Sequence, residues 1–260
     1  MGIFMRKCDI CISLTGYVYA PRIAQKKGAI IIMERGSKHI LEQKKILEKN
    51  PHKKNEAIPN RNIKCNLKAY QFANFISVAS QHVKESFLLH QYPENRIFVN
   101  PYGVDLSMFK PLPNIPKKYD VIMVGGWGYE KGCDLIVEAI RKTNYSFIHV
   151  GSIKDVDFPQ EKNFTHIDPV DQSKLIEYYN QAKVFILPSR QDGFGMVLSQ
   201  ALACNLPIIG SNNCGAPDLK KMVELPEYIT IIKDYTADAI VTAIHTAIKN
   251  YEQLGERIYA

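Results

Sequence analysis

The chain has 260 residues, of which 46% are apolar and 23% are charged, the balance of an ordinary globular protein. This composition excludes disordered, collagen-like and disulfide-scaffold proteins. No apolar run reaches the roughly 18 to 20 residues that a membrane-spanning helix needs. Asp9 and Pro21 interrupt the apolar stretch near the N-terminus, which argues against a secretory signal, so we expect a cytoplasmic protein.

The formal net charge of +7 is distributed unevenly. Residues 1–110 hold 18 Lys and Arg against 8 Asp and Glu, and much of the excess lies between Lys38 and Lys68. One interpretation is a solvated helix face with a basic loop. The other is attraction to an anionic membrane surface or to a phosphorylated substrate. No recognition motif for nucleic acid accompanies the charge, so we expect no nucleic-acid partner.

Six cysteines in a chain of this length do not predict a disulfide framework. Cys8 and Cys11 form one C-x-x-C, whereas a zinc site would need a second pair or nearby histidines. Because this pair enters the apolar run at 10–14, we predict buried strand cysteines and no metal site.

Short apolar runs alternate with helical stretches along most of the chain. Strands are predicted at 10–14, 29–33, 75–79, 97–99, 120–124, 147–150, 184–187, 207–210 and 228–232. Helices are predicted near 37–50, 65–73, 81–90, 131–142, 171–182, 195–204 and 235–256, two of them capped by Asp171 and Thr236. Continuously apolar runs are typical of parallel strands covered on both faces. The pattern therefore predicts an α/β protein with doubly wound parallel sheets.

A domain boundary is predicted between Pro101 and Lys118, where four prolines lie and the sign of the charge changes. We assign 1–110 to a first Rossmann-like domain with its linker and 111–260 to a second. Ligands of such sheets bind at the carboxyl ends of the strands, so chemistry is expected in the loops after Val124, Leu187 and Gly210.

Each of these three loops carries glycine. In the loop 125–132, glycines let the backbone approach a phosphate, and Lys131 would add a positive charge at the first helical turn. The alternative for this loop is a tight turn with a surface lysine. In the loop 188–197, the amides of Gly195, Met196 and Val197 would face an anion. The third loop contains Gly-Ala-Pro-Asp at 215–218.

The segment 188–218 resembles the donor site of the family 4 retaining glycosyltransferases (glycosyl transferases group 1), which have the GT-B fold of two Rossmann-like domains. The family has two glutamates on either side of Phe-Gly, and this chain has Asp192 and Gln200 around Phe194-Gly195. Three further segments match: Tyr-Gly-Val-Asp at 102–105, Glu-Lys-Gly at 130–132 and Glu-Arg-Gly-Ser-Lys-His at 34–39.

The resemblance implies a hexosyltransferase that moves a sugar, with retention, from a UDP- or GDP-type nucleotide sugar to a carbohydrate or lipid-linked acceptor in polysaccharide biosynthesis, without a further cofactor. Asp192 would contact the sugar, Lys131 the diphosphate and Gln200 the ribose. Arg35 would act on the acceptor side, assisted by Glu34 or His39. The donor-binding residues implied are Gly125, Gly126, Lys131, Asp192, Phe194, Gly195, Met196, Val197 and Gln200.

The chain also departs from the family pattern. Gly126 stands where the family usually has Arg, Asp192 is shorter than Glu, and Gln200 lacks a charge. Only about 100 residues precede the interdomain segment. We therefore expect an incomplete N-terminal domain with exposed apolar faces, which either a partner chain completes or a degenerate or partial reading frame explains. The basic charge of this domain predicts peripheral contact with the inner face of a membrane. Two alternatives stay open: a nucleotide-sugar-binding remnant or subunit without turnover, and a nucleotide-sugar epimerase or phosphorylase-like enzyme of the same fold.

Overall fold

The computed structural model describes residues 6–52 and 58–258, so part of the basic segment 38–68 lies outside the described residues. The chain forms two compact units, the first ending at Pro101 and the second beginning at Tyr102. Within the described ranges, none of the helices combines the length and the apolar character needed to cross a bilayer.

The first unit is built on a four-stranded sheet. Its strands are β1 (Ile10–Leu14), β2 (Ile30–Arg35), β3 (Phe75–Val78) and β4 (Ile97–Val99). They pair in parallel in the order β1-β2-β3-β4. The helices are α1 (Tyr19–Lys26), α2 (Ile40–Leu47), α3 (Asn60–Phe72) and α4 (Gln81–Leu88). The core of the unit includes Ile31, Met33, Ile76 and Phe87, which are fully buried.

The other face of this sheet is apolar and exposed. Ile10 and Ile12 of β1 lie in register with Ile30 and Ile32 of β2, and Ile12 is 63% exposed. Phe75 and Phe98 are also exposed on the neighbouring strands. The uncovered apolar face expected from the sequence is therefore present in this unit.

The cysteines of the C-x-x-C differ from the prediction. Cys8 and Cys11 are free and half-buried rather than buried. Cys11 lies on β1 and Cys8 two residues before it, and β1 is at the edge of the sheet, where it pairs with β2 alone among the described strands.

The second unit contains a six-stranded parallel sheet of order β10-β9-β8-β5-β6-β7. Its strands are β5 (Tyr119–Val124), β6 (Phe147–Val150), β7 (Phe164–Ile167), β8 (Ala182–Leu187), β9 (Ile208–Ser211) and β10 (Ile229–Ile232). Its helices are α5 (Cys133–Arg141), α6 (Leu175–Asn180), α7 (Met196–Ala203), α8 (Ala216–Met222) and α9 (Ala237–Ile258). Every residue of β6 and of β9 is buried, as in a sheet covered on both faces.

The order of the strands reverses at β5, which has β6 on one side and β8 on the other. This reversal is the topological switch point at which doubly wound sheets bind ligands. The predicted fold class is confirmed. Three elements were not predicted from the sequence: α1, β7 and α8.

The boundary between the units falls earlier than the predicted division at 110. The segment after Pro101 packs onto the second unit, where Phe109 is buried with its ring 6.0 Å from that of Tyr179. Asn180 also binds this segment, because its amide nitrogen donates to the Lys110 carbonyl and its side-chain oxygen accepts from Leu112. These contacts place residues 102–110 with the second unit.

Candidate functional site

The three glycine-bearing loops meet at the carboxyl ends of β5, β8 and β9 in the second unit, which are neighbouring strands. The Asp192 amide donates to the Asn213 carbonyl, which joins the second loop to the third. The Gly215 amide donates to the Phe194 carbonyl and adds a second link. The loops that the sequence singled out therefore form one surface at the switch point.

The first loop has a different shape from the prediction. Lys131 ends a 3₁₀ turn over Tyr129–Lys131 instead of lying in the first turn of an α-helix. Gly132 follows with a φ of +75°, a left-handed conformation that favours glycine, and α5 begins only at Cys133. This break sets Lys131 at the end of the loop and ahead of the helix.

An arginine clamp holds the first two loops together. The Arg190 guanidinium donates to both carboxylate oxygens of Asp134, at 2.6 and 2.7 Å. It also stacks 3.8 Å from the ring centre of Tyr129 and donates to the Tyr129 carbonyl. Next to it, the Gln191 amide donates to Glu130 at 2.5 Å. The bidentate geometry fixes the distance between the two loops.

Lys131 and Asp192, both predicted site residues, form an ion pair in this clamped arrangement. The Lys131 Nζ lies 2.5 Å from Asp192 Oδ2, and both side chains are largely buried. Burial lowers the pKa of Lys131, but the Asp192 carboxylate beside it, together with Glu130 and Cys214, raises that pKa above its usual value. Lys131 is therefore a permanent cation at neutral pH. Because an ammonium has three N–H donors, it can bind an anion while it keeps Asp192.

The N-terminus of α7 adds backbone donors to this surface. Gly195 has a φ of +79°, and the helix begins at Met196. Within the described residues, the amides of Gly195, Met196 and Val197 donate no hydrogen bond. These three donors and the positive end of the helix dipole suit an anion.

The other residues predicted to bind the nucleotide sugar, Gln200 and Phe194, are buried. Gln200 is only 7% exposed, and its side-chain oxygen accepts a hydrogen bond of 2.9 Å from the Tyr179 hydroxyl. Its amide nitrogen has no protein partner among the described residues and stays available as a donor. Phe194 is buried, and a Cβ on Gly215 would lie 2.5 Å from its ring. Phe194 therefore packs closely against Gly215 of the third loop.

The glycines of the first loop leave room for a cation that the sequence did not reveal. Gly125 has a φ of +124° and begins the loop, and Gly126 follows where the family usually has arginine. A Cβ on Gly126 would lie 2.8 Å from the Lys154 Nζ, so the lysine side chain occupies the space above the glycine. Lys154 is exposed and makes no ion pair with the described residues. It lies in the loop after β6, and no motif marks it in the sequence.

Arg35, the predicted acceptor-side residue, lies in the first unit at the end of β2. It lines a cavity of about 590 Å³, and neither Glu34 nor His39 lines it. His39 is buried and caps α2, since its Nδ1 accepts from the Leu41 amide. Burial, together with His90 and Arg35, lowers the pKa of His39 to about 3, so its ring is neutral at physiological pH.

In the described residues, no group of three His, Cys, Asp or Glu side chains could hold a metal ion. The positive charge at the switch point comes from Lys131, Lys154 and the start of α7.

A family model described as glycosyl transferases group 1 matches residues 107–260, more than half of the chain. The chain belongs to the glycosyl transferases group 1 family. It is 25% identical over 219 residues to the "Probable sucrose-phosphate synthase" of Thermosipho melanesiensis, covering 74% of this chain and 50% of that protein. It is 27% identical over 144 residues to the D-inositol 3-phosphate glycosyltransferase of Paenarthrobacter aurescens, covering 45% and 35%. The chain thus spans half or less of these curated relatives.

Solved structures of glycosyltransferases show that the chain has the GT-B fold. The sucrose-phosphate synthase of Thermosynechococcus elongatus superposes with a TM-score of 0.65 at 18% identity, covering 92% of this chain and 65% of that one. HepE of Anabaena, solved with UDP and glucose, gives a TM-score of 0.68 at 14% identity, covering 89% and 65%. These similarities establish two Rossmann-like domains of the GT-B type.

Proposed function

We propose that the protein transfers a hexosyl group from a nucleoside-diphosphate sugar of the UDP or GDP type to a hydroxyl of a carbohydrate or lipid-linked acceptor, in polysaccharide biosynthesis. The observation that carries the proposal is that Lys131, Lys154 and the α7 amides all lie on or against the loops at the switch point of the second unit. Such an array of cations and free amides suits a diphosphate. HepE, of the same fold, was solved with UDP and glucose, which supports this class of donor.

In the proposed reaction, the bond between the sugar C1 and the diphosphate oxygen breaks, and a bond forms between C1 and the acceptor oxygen. The acceptor attacks from the side of the leaving group, so the configuration at C1 is retained. The acceptor proton passes to the departing diphosphate oxygen. Lys131, Lys154 and the α7 amides stabilise the negative charge that develops on that oxygen.

The other residues of the site have positioning roles in this proposal. The Asp192 carboxylate contacts the transferred sugar, while its Oδ2 stays with Lys131. The Gln200 amide nitrogen donates to a ribose hydroxyl, while its oxygen stays with Tyr179. The donor is then held at its sugar, its diphosphate and its ribose by groups of one unit.

The first unit supplies the acceptor side of the proposal. Its exposed cations Arg61, Lys64 and Lys68 on α3 would bring it to an anionic membrane that carries a lipid-linked acceptor. The proposed location is the cytoplasm, at the inner face of the membrane. The six free cysteines of the described residues support a reducing compartment.

The exposed apolar face of the first unit supports the proposal that a partner chain covers this face. Ile12, Phe75 and Phe98 contribute to this face. Sedimentation velocity of the full chain tests the partner: association that is abolished by Ile12→Thr would support it, and a monomer at all concentrations would contradict it.

Calorimetric titration with UDP, GDP, UDP-glucose and GDP-mannose tests the donor site. One nucleotide should bind, and Lys131→Ala should weaken it about ten- to a hundredfold, because one charge-assisted contact is lost. Lys162→Ala removes an exposed lysine of the same unit whose side chain makes no hydrogen bond or ion pair with the described residues, and it should leave the affinity unchanged. Hydrolysis or transfer of the bound sugar, with retention measured from the anomeric NMR coupling, would establish catalysis. Binding without either would contradict it.

A further inference from the structure

The cavity in the first unit lies at the carboxyl ends of β1 and β2 and against α2 and α3. Its volume of about 590 Å³ is in the range of small-molecule sites. Its lining residues are Gly16, Tyr17, Arg35, Ile40, Gln43, Leu47, Ile58, Pro59, Arg61, Asn62, Cys65 and Asn66. Two of these residues are arginines and none of them is acidic. Within the described part of the chain, the cavity is therefore positively charged.

Arg35 is held rigidly in this cavity. Its Nε donates to the Lys38 carbonyl at 2.9 Å, and its terminal nitrogens donate to Asn66 at 3.1 Å and to Gln43 at 2.6 Å. Asn66 is buried and fixed in turn, because its oxygen also accepts from Thr15 and its amide donates to the Asn62 carbonyl. The guanidinium cannot turn away without breaking three hydrogen bonds.

Among the residues that the structure describes, the charge of Arg35 has no counter-ion. All three of its partners are neutral oxygens, and it forms no ion pair with any described residue. Desolvation lowers its pKa, and no carboxylate opposes that effect. A guanidinium has five N–H donors, so two remain after the three hydrogen bonds. A desolvated cation with two unused donors is stabilised by an anion.

The other residues that line the cavity indicate what kind of molecule would carry the anionic group. Arg61 lines the cavity, is exposed, and makes no ion pair with described residues. Tyr17 also lines it, is 66% exposed, and offers an aromatic face of the kind on which sugar rings pack. A ligand with an anionic group attached to a polar ring would match these lining residues.

We infer that this cavity binds an acceptor carrying a phosphoryl group, with Arg35 and Arg61 on the phosphoryl oxygens and the sugar beside Tyr17. The inference rests on the proposed function, since it names the acceptor class for that reaction. Arginine suits this role because its planar N–H groups match two oxygens of a phosphoryl group. The same chemistry is offered by a soluble sugar phosphate and by a lipid-linked phosphate.

The test uses the full chain and binding alone, so it needs no turnover. Glucose 6-phosphate, glucose and inorganic phosphate are titrated by calorimetry, and phosphatidylcholine vesicles with and without polyprenyl phosphate are tested by co-sedimentation. A phosphorylated probe should bind, glucose should bind at least about tenfold more weakly, and Arg35→Gln and Arg61→Gln should each weaken the phosphorylated probe about tenfold. Binding to the vesicles alone would assign the phosphoryl group to a lipid and support the inference.

Lys26→Gln is the control, because Lys26 is an exposed cation of the same unit that does not line the cavity. If Arg35→Gln unfolds the protein, Arg61→Gln carries the test, since its side chain makes no hydrogen bond or ion pair with the described residues. Equal binding of glucose and its phosphate, or equal loss in Lys26→Gln, would overturn the inference. UDP titration of the same samples separates the two proposals: UDP binding without phosphate-sugar binding refutes this inference and leaves the donor site standing.

Discussion

The Lys131 ammonium lies 2.5 Å from the Asp192 carboxylate and thereby joins the loop after β5 to the loop after β8. Each partner is a predicted site residue, and each sits where the chain breaks from regular structure. The pair keeps Lys131 charged, and the ammonium has further N–H donors besides the one that Asp192 accepts. Lys131 thus links the two loops and, in the proposed reaction, is also a cation for the diphosphate of the donor.

Asp192→Asn is expected to separate the two roles of this pair. Asparagine keeps the shape and one acceptor oxygen, so UDP affinity should fall less than in Lys131→Ala. The transfer rate should fall by about 100-fold, because a charge next to the reacting sugar is lost. Steady-state rates and UDP titration of both variants check this. Equal losses of affinity and rate in the two variants would contradict a contact between Asp192 and the sugar.

Lys154 is expected to bind the diphosphate in place of the family arginine. Lys154→Met should weaken UDP about tenfold while leaving the unfolding midpoint unchanged, since the side chain is exposed. Lys162→Met is the matched control and should behave like the unchanged chain. Calorimetry at low and high salt checks that the effect is electrostatic, because the loss of UDP affinity in Lys154→Met should be smaller at high salt, where the charge of the lysine is screened.

The relation between Gly126 and Lys154 predicts the outcome of a swap. Gly126→Arg alone should reduce UDP binding, because a Cβ at this position meets the Lys154 side chain. Gly126→Arg combined with Lys154→Ala should restore the affinity to within about threefold, as the arginine then has the space and supplies the charge. UDP titration of the two single variants and the double variant forms the cycle. Additive effects in the cycle would show that the two positions are independent.

The arginine clamp is expected to stabilise the second unit. Arg190→Met should lower the free energy of unfolding by about 2 kcal/mol or more, since it leaves the largely buried Asp134 carboxylate without its bidentate partner. Urea unfolding measures this change. Lys142→Met removes an ion pair with Asp238 whose members are far more exposed, and should have little effect. A similar loss in both variants would speak against the clamp.

His149 is expected to make the second unit sensitive to acid. Burial, and then the neighbouring His166, lowers the pKa of His149 to about 4 in the folded protein, against about 6.5 unfolded. Between these values the unfolded chain binds a proton that the folded chain does not, so stability falls as the pH falls from about 6.5 to about 4. The loss should be on the order of 2 to 3 kcal/mol.

Urea unfolding at pH 7 and at pH 4.5 checks this dependence. His149→Gln should reduce the dependence of the unfolding free energy on pH. His245→Gln, which changes an exposed histidine of the same unit, should leave that dependence unchanged. His39 has its pKa lowered to about 3 and should contribute a slope of the same sign in the first unit.

Much of the fold was predictable, because its strands are apolar runs separated by helical stretches. The strand β7 escaped prediction since Thr165 and His166 interrupt its apolar pattern, and pairing with β6 makes it a strand. The helix α8 escaped because it is short, follows Gly215 and has Pro217 as its second residue. In both cases tertiary packing decided what the local sequence left open.

The candidate site was predictable where a glycine or a helix start marks it, as at Lys131 and Gly195. Lys154 was not, because its place above Gly126 follows from how two loops meet and not from any spacing in the sequence. The hydrogen bond between Gln200 and Tyr179 was hidden for the same reason. Long-range partners of a side chain are not encoded in its neighbours along the chain.

The candidate site of the second unit is formed by the loops that follow β5, β6, β8 and β9, so its residues are far apart in the sequence. No stretch of the second unit can form it before β8 has inserted beside β5 and β9 beside β8. A nucleotide that binds here would recognise only the completed sheet, and would raise the melting temperature with the logarithm of its concentration once the site is saturated. A nucleotide that binds as proposed would therefore report correct folding and would select native molecules after refolding.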